Sequence, residues 1–204
     1  MIHYLDKTME ELLRHELPQF FAPEATGTSV TISFATPDGE FPPSSVPLPA
    51  IDMFLYDIRE NRELRSNEFQ VERQRGMSAK IRRAAVRVDC SYLVTAWGKD
   101  NSTPSAVDEH RLLGEVMKVL LQHATIPRAV LQGELLDQEP PLPTITLQPG
   151  RLQSLGEFWQ ALGGKPKAAF HYTVTIGVDV HKPTEVQLVT DRTLKFRMEK
   201  EIMP

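Results

Sequence analysis

The segment Ile51-Asp52-Met53-Phe54-Leu55-Tyr56-Asp57-Ile58 is too short for a typical helix and is apolar on both of its extended faces. In a strand, Ile51, Met53 and Leu55 point one way, while Phe54, Tyr56 and Ile58 point the other. Such a strand is stable only in a sheet covered on both sides. The segment therefore predicts a central strand with other elements layered over each face.

Other periodicities supply those layers. Ile2, Leu5, Met9, Leu12, Leu13 and Leu17 recur at helical spacing and stop at Pro18, which predicts an amphipathic helix over 2–17. Val30 to Phe34 reads as a short strand, followed by a Thr36-Pro37-Asp38-Gly39 turn and an extended segment with Pro42, Pro43, Pro47 and Pro49. Ala85 to Trp97 is the clearest strand. Val86, Val88, Cys90, Tyr92, Val94 and Ala96 share one face; Arg87, Asp89, Ser91 and Thr95 share the other. Phe170 to Val180 alternates in the same way. Two capping boxes, Ser105-Ala106-Val107-Asp108 and Ser154-Leu155-Gly156-Glu157, predict helices that end before Pro127 and at Gly163-Gly164. Asp108 and Glu109 would then lie in the first turn of the former.

Phe20 to Gly27 and Gln138 to Pro143 read as connectors, and Glu68 to Arg83, interrupted by Gly76, as a loop or protruding hairpin. Val186 and Leu188, then Leu194, Phe196 and Met198, alternate as a terminal hairpin or an arm that pairs with a neighbouring chain. The sum is an α/β (α+β) chain: a mostly antiparallel sheet flanked by helices, with a protruding charged loop and a C-terminal arm. The expected division is a main domain over 1–182 and an arm or hairpin over 183–204.

Bulk properties close off several classes. With 41% hydrophobic and 25% charged residues, 204 residues form an ordinary core without staples. The single cysteine, Cys90, excludes an internal disulfide and a multi-cysteine zinc site, and its apolar strand makes it a small buried hydrophobe. No stretch approaches the ~18 apolar residues of a membrane helix, so no direct membrane insertion is expected. Met1 to Lys7 lacks a basic region ahead of an apolar run, which predicts cytoplasmic synthesis without a signal peptide.

Charge is unevenly placed. Asp57, Arg59, Glu60, Arg62, Glu63 and Arg65 interleave both signs, and from Arg59 to Arg87 nine Lys or Arg stand against four Glu. That region is +5, which leaves −9 for the rest of a −4 chain. Interleaved signs serve register and discrimination at a protein interface more than affinity. The basic run Arg73, Arg75, Lys80, Arg82 and Arg83 could touch phosphates, but it holds no aromatic on which bases could stack. An adaptor that binds nucleic acid or a small protein effector through 59–87 is the second reading.

Catalytic patterns are weak throughout. Gly156…Gly163-Gly164-Lys165 has the wrong spacing for a phosphate loop, with Pro166 where a hydroxyl residue should meet magnesium. Asp108-Glu109-His110 lacks the i, i+4 spacing of helical metal ligands, and Cys90 and Ser91 lie in no nucleophile elbow. Asp52, Asp57, Asp89 and Asp179 would matter only if they converged. The chain reads as a non-enzyme, with no cofactor and no metal.

Several strings occur together and in order: IHYLDKTMEELLR, LYDIRENRELRSNE, VRVDCSYLVTAW, DEHRLLGEV, LQGELLDQEPPLPT and EFWQALGGK. In combination they resemble the cap, or tail-terminator, family of phage-tail-like contractile injection systems, from about Met1 to Val180. The resemblance implies a tail-terminator-like α/β fold and a structural role: a homohexameric ring that closes the baseplate-distal end of the tube and sheath and stops their polymerisation. It implies sheath and inner-tube subunits as partners and a place in an assembled particle, released or retained. On that footing Arg59, Glu60, Arg62, Glu63 and Arg65 are expected at subunit or cap–sheath contacts, and Arg73, Arg75, Lys80, Arg82 and Arg83 at the last tube or sheath ring.

Overall fold

The computed structural model describes residues 1–21, 29–39, 41–43, 45–73, 78–99, 103–138, 141–148, 154–187 and 193–194. Its strands form two sheets, and the chain divides into two compact units. The first comprises Met1–Leu64 and Arg87–Val178; the second comprises Arg65–Val86 and Asp179–Pro204.

In the first unit the alternating segments become a five-stranded sheet. Strand β1 (Thr31–Ser33) pairs in parallel with β2 (Ala50–Glu60), and β2 pairs antiparallel with β5 (Val86–Trp97). Next to β5 lies β7 (Ala169–Val178), and β6 (Thr144–Thr146) pairs antiparallel with β7 at the far edge. The doubly apolar strand β2 is thus internal, as its two faces require. One face meets helix α1 (Ile2–Glu16), followed by the short helix α2 (Pro18–Phe21), and helix α3 (Thr103–Gln122): Leu5, Met9, Leu12 and Leu13 join Val116 and Leu120 over Ile51, Met53, Tyr92, Val94, Tyr172 and Val174. A fully buried side chain of this kind contributes about 2 kcal/mol. On the opposite face, Phe158 of helix α4 (Leu155–Ala161) stands 6.2 Å from Phe54 and 6.4 Å from Tyr56.

Three expectations change. Leu55 pairs with Tyr92 and Asp57 with Ser91, so Tyr56 is the extra residue of a bulge. The bulge breaks the alternation: Ile58 pairs with Cys90, not on the Phe54 face, and is 48% exposed. Helix α3 begins at Thr103, so Ser105 lies inside it and Asp108 and Glu109 fall beyond its first turn. The strand predicted to reach Val180 ends at Val178, and Val180 is exposed. The second capping box holds, since the Glu157 amide donates to Ser154 Oγ at 3.2 Å. Gly163 follows α4 at φ 67°, the left-handed geometry of helix termination.

Cys90 is fully buried, and burial pushes its thiol up to about 12, as an inert core residue requires. Helix α1 is tied to a 3₁₀ segment, Gly133–Asp137, by the Gln132 amide donating to Thr8 Oγ1 at 3.0 Å. Gly133 there has φ 54°, and a Cβ at this position would collide with the Tyr4 ring. Gly133→Ala combines left-handed strain with that overlap and should cost about 3 kcal/mol, readable by thermal denaturation.

The second unit is a three-stranded antiparallel sheet in the order β3 (Phe69–Arg73), β4 (Ser78–Arg83), β8 (Thr184–Gln187). The segment expected as a loop or hairpin is therefore a hairpin, completed by a C-terminal strand. Gly76, Leu188, Phe196 and Met198, and residues 22–27 and 139–140 of the two connectors, lie outside the described residues.

Candidate interaction site

The register of the small sheet sorts its side chains. Phe69 lies opposite Arg83, Val71 opposite Ile81, Arg73 opposite Ala79, and Ala79 opposite Val186, which collects the apolar residues on one face. The other face carries Gln70, Glu72, Lys80, Arg82, Glu185 and Gln187. Phe69 and Val71 are 58% and 55% exposed, and the Arg83 guanidinium lies 5.7 Å from the Phe69 ring centre. Lys80 and Arg82 are exposed; Arg82 makes one long ion pair, 3.6 Å to Asp179. An exposed pair of that length holds little energy and leaves Arg82 available, on a face where Lys80 lies between Glu72 and Glu185.

In the first unit the polar face of β5 forms a buried network. Asp89 accepts from Thr175 Oγ1 at 2.7 Å and from Asn61 Nδ2 at 3.0 Å, while Ser91 and Thr173 share a hydroxyl hydrogen bond of 3.0 Å. Asn61 also accepts the Leu64 amide at 3.0 Å, and its own amide donates to the Arg87 carbonyl. These bonds fasten the charged turn after β2 to the sheet. Above the network opens a cavity of about 430 Å³, lined from one side by Glu60, Arg62 and Glu63. Asp89, Ser91 and Thr173 contribute to its lining, along with Tyr56 and His171. Burial lowers the His171 pKa, which favours a neutral imidazole, and its buried Nδ1 has no hydrogen-bond partner among the described residues.

The ten residues expected at interfaces fall into two groups. Arg59 and Glu60 end β2, and Arg59 Nε pairs with Asp57 at 2.8 Å, an intramolecular contact within the charged string. Arg62 and Glu63 are exposed and, among the described residues, form no ion pair. The structure thus brings Glu60, Arg62 and Glu63 together at the cavity, whereas Arg65 belongs to the second unit. Arg73 ends β3, Lys80, Arg82 and Arg83 lie in β4, and Arg75 is outside the described residues. Sequence reasoning missed the cavity floor. The only available signal was the polar alternate face of β5, and its partners Asn61, Thr173 and Thr175 are distant in sequence.

Among the described residues no three His, Cys, Asp or Glu side chains are grouped to hold a metal ion. Asp52 sits fully buried in β2, opposite Thr95, whereas Asp179 belongs to the second unit. No helix among the described residues is long and apolar enough to cross a membrane.

Two mostly antiparallel sheets with helices flanking the larger one define an α/β fold similar to that of tail terminators. Residues 4–191 match the model of the Pvc16 N-terminal domain, and the chain belongs to that family. The sheath/tube terminator of an extracellular contractile injection system, PVC, in its extended state superposes with a TM-score of 0.69 at 24% identity. That match covers 100% of this chain and 65% of the terminator. The tube-terminating cap of the anti-feeding prophage gives 0.65 at 26% identity, covering 94% of this chain and 60% of that one. The chain thus spans slightly less than two thirds of either structure's length. No curated protein matches it.

Proposed function

We propose that this chain is the structural cap, or tail terminator, of a contractile injection system. In this reading it closes the baseplate-distal end of the tube and sheath and stops their polymerisation. The observation that carries the reading is likeness to two terminators over 94–100% of the chain, combined with the family match over 4–191. The chain acts by shape and contact: it forms a homohexameric ring, docks on sheath and inner-tube subunits, and catalyses no reaction. Its place is within the assembled particle.

Arg59, Glu60, Arg62, Glu63 and Arg65 contribute subunit or cap–sheath contacts, and Arg73, Arg75, Lys80, Arg82 and Arg83 reach the last tube or sheath ring. The exposed apolar face with Phe69 and Val71 supports burial on assembly, because exposed apolar residues grouped on one face mark interaction surfaces. Residues 183–204 serve as an arm to the 1–182 domain; β8 within them already pairs with β4. Electron microscopy of particles made with and without the chain tests the role. Without it, tubes should be uncapped or abnormally long, and restoring it should recover a single length. Capped particles of normal length in its absence would falsify the assignment.

A further inference from the structure

The two units differ in the sign of their charge. Residues 65–86 and 179–204 carry eleven Lys or Arg against seven Asp or Glu, a net of +4. The whole chain is −4, so the other unit carries −8. Among the described residues, the cavity on that acidic unit is lined by Glu60, Glu63 and Asp89 against Arg62, with Tyr56 beside them. Its 430 Å³ lies within the range of roughly 300–1,000 Å³ typical of ligand sites and has room for one long basic side chain. The matching charge is present on the chain itself: Lys80 and Arg82 share one face of β4, both exposed, with Glu72 of β3 and Glu185 of β8 opposite Lys80.

We infer that the acidic cavity beside Glu63 is a socket for the basic face of β4, Lys80 foremost, on a second copy of this chain. The inference rests on the ring reading above and specifies its head-to-tail contact. A ring needs two unlike patches that meet heterologously, and patches of opposite sign select that contact over like-with-like pairing. The carboxylates and Tyr56 suit an ammonium or guanidinium group, whose charge they offset and whose stem the ring can cover. Because Glu63 and Lys80 are exposed, the contact should weaken with added salt.

The test crosslinks Glu63→Cys chains mixed with Lys80→Cys chains, both as purified full chain and in assembled particles, under mild oxidation. Cys90 is fully buried and can stay in place. A disulfide-linked dimer formed only in the mixture is the expected result. Absence of that dimer in both settings overturns the socket. With both cysteines on one chain, a ladder of covalent multimers is expected, whereas an intramolecular disulfide alone would mean that the chain closes on itself. Charge exchange provides a second reading: Glu63→Lys or Lys80→Glu should each weaken self-association about tenfold, and the double exchange should restore it to within about threefold. Particle lengths are scored separately. Normal capped particles without crosslinks would sink the socket and leave the cap standing, while crosslinked chains absent from particle ends would do the reverse.

Discussion

Particles assembled with Arg62→Glu/Arg65→Glu chain should lose length control while the chain itself stays folded. Arg62 lies beside Glu60, Glu63 and Asp89 at the cavity and Arg65 follows it in the interleaved string, so reversal sets a carboxylate against any acidic sheath group that either cation would meet, while the carboxylates that would receive Lys80 stay in place. The two changes take the net charge four units below −4. Like charges brought together at an interface cost several kcal/mol, and ~3 kcal/mol corresponds to a roughly hundredfold loss of binding. The fold should survive because both residues are exposed and Arg62 forms no ion pair among the described residues. Circular dichroism should match the parent, with a melting point within a few degrees, while electron microscopy should find open-ended tubes of broad length distribution. Unchanged length control in a correctly folded variant would place the contact elsewhere.

The second large effect concerns Asp52. Its carboxylate is fully buried in β2, and among the described residues neither oxygen closes a hydrogen bond of good geometry, although Ser33 and the Ala35 amide lie close enough to lower its pKa somewhat. Burial dominates and pushes the group from 3.8 to about 7. Below pH ~4 it is protonated in both folded and unfolded chain and contributes no pH dependence. Between pH ~4 and ~7 the unfolded chain ionises while the folded one holds its proton, so stability falls as pH rises. The full loss, about 4 kcal/mol, is reached above pH 7. Asp52→Asn removes this dependence. In urea denaturation the variant should gain on the parent by about 4 kcal/mol between pH 4 and pH 8, whatever their relative stability at pH 4. A gap that does not change with pH would mean Asp52 is ionised in the fold.

What could be read from residues alone follows the reach of the forces involved. Helix α1 and strands β5 and β7 were legible because burial of one face imposes a period on neighbouring residues, and Leu5, Met9, Leu12 and Val86 through Ala96 obey it. The small sheet was half legible: its hairpin is local, but its third strand pairs Ala79 with Val186 across the length of a domain. The bulge at Tyr56 left no mark, since inserting one residue into a strand apolar on both faces preserves the pattern while reversing the sides. Charged positions were easy to find and hard to place. Arg62 and Lys80 belong to one basic region in sequence, yet one lines an acidic cavity and the other projects from a separate sheet. The cavity floor depends on Asn61, Asp89 and Thr175 meeting through tertiary contacts that no local period announces.

The small sheet also sets an order of events during synthesis. Strands β3 and β4 leave the ribosome early, but β8 follows roughly a hundred residues later, several seconds at about 5–20 residues per second. During that interval every segment of the larger unit is completed while the β4 edge of the hairpin awaits its partner. A chain cut short before Thr184 therefore keeps the five-stranded sheet whole and lacks the strand that finishes the basic one. The small sheet is thus finished only once Thr184–Gln187 has been made, and chains cut before that strand enter assembly without it.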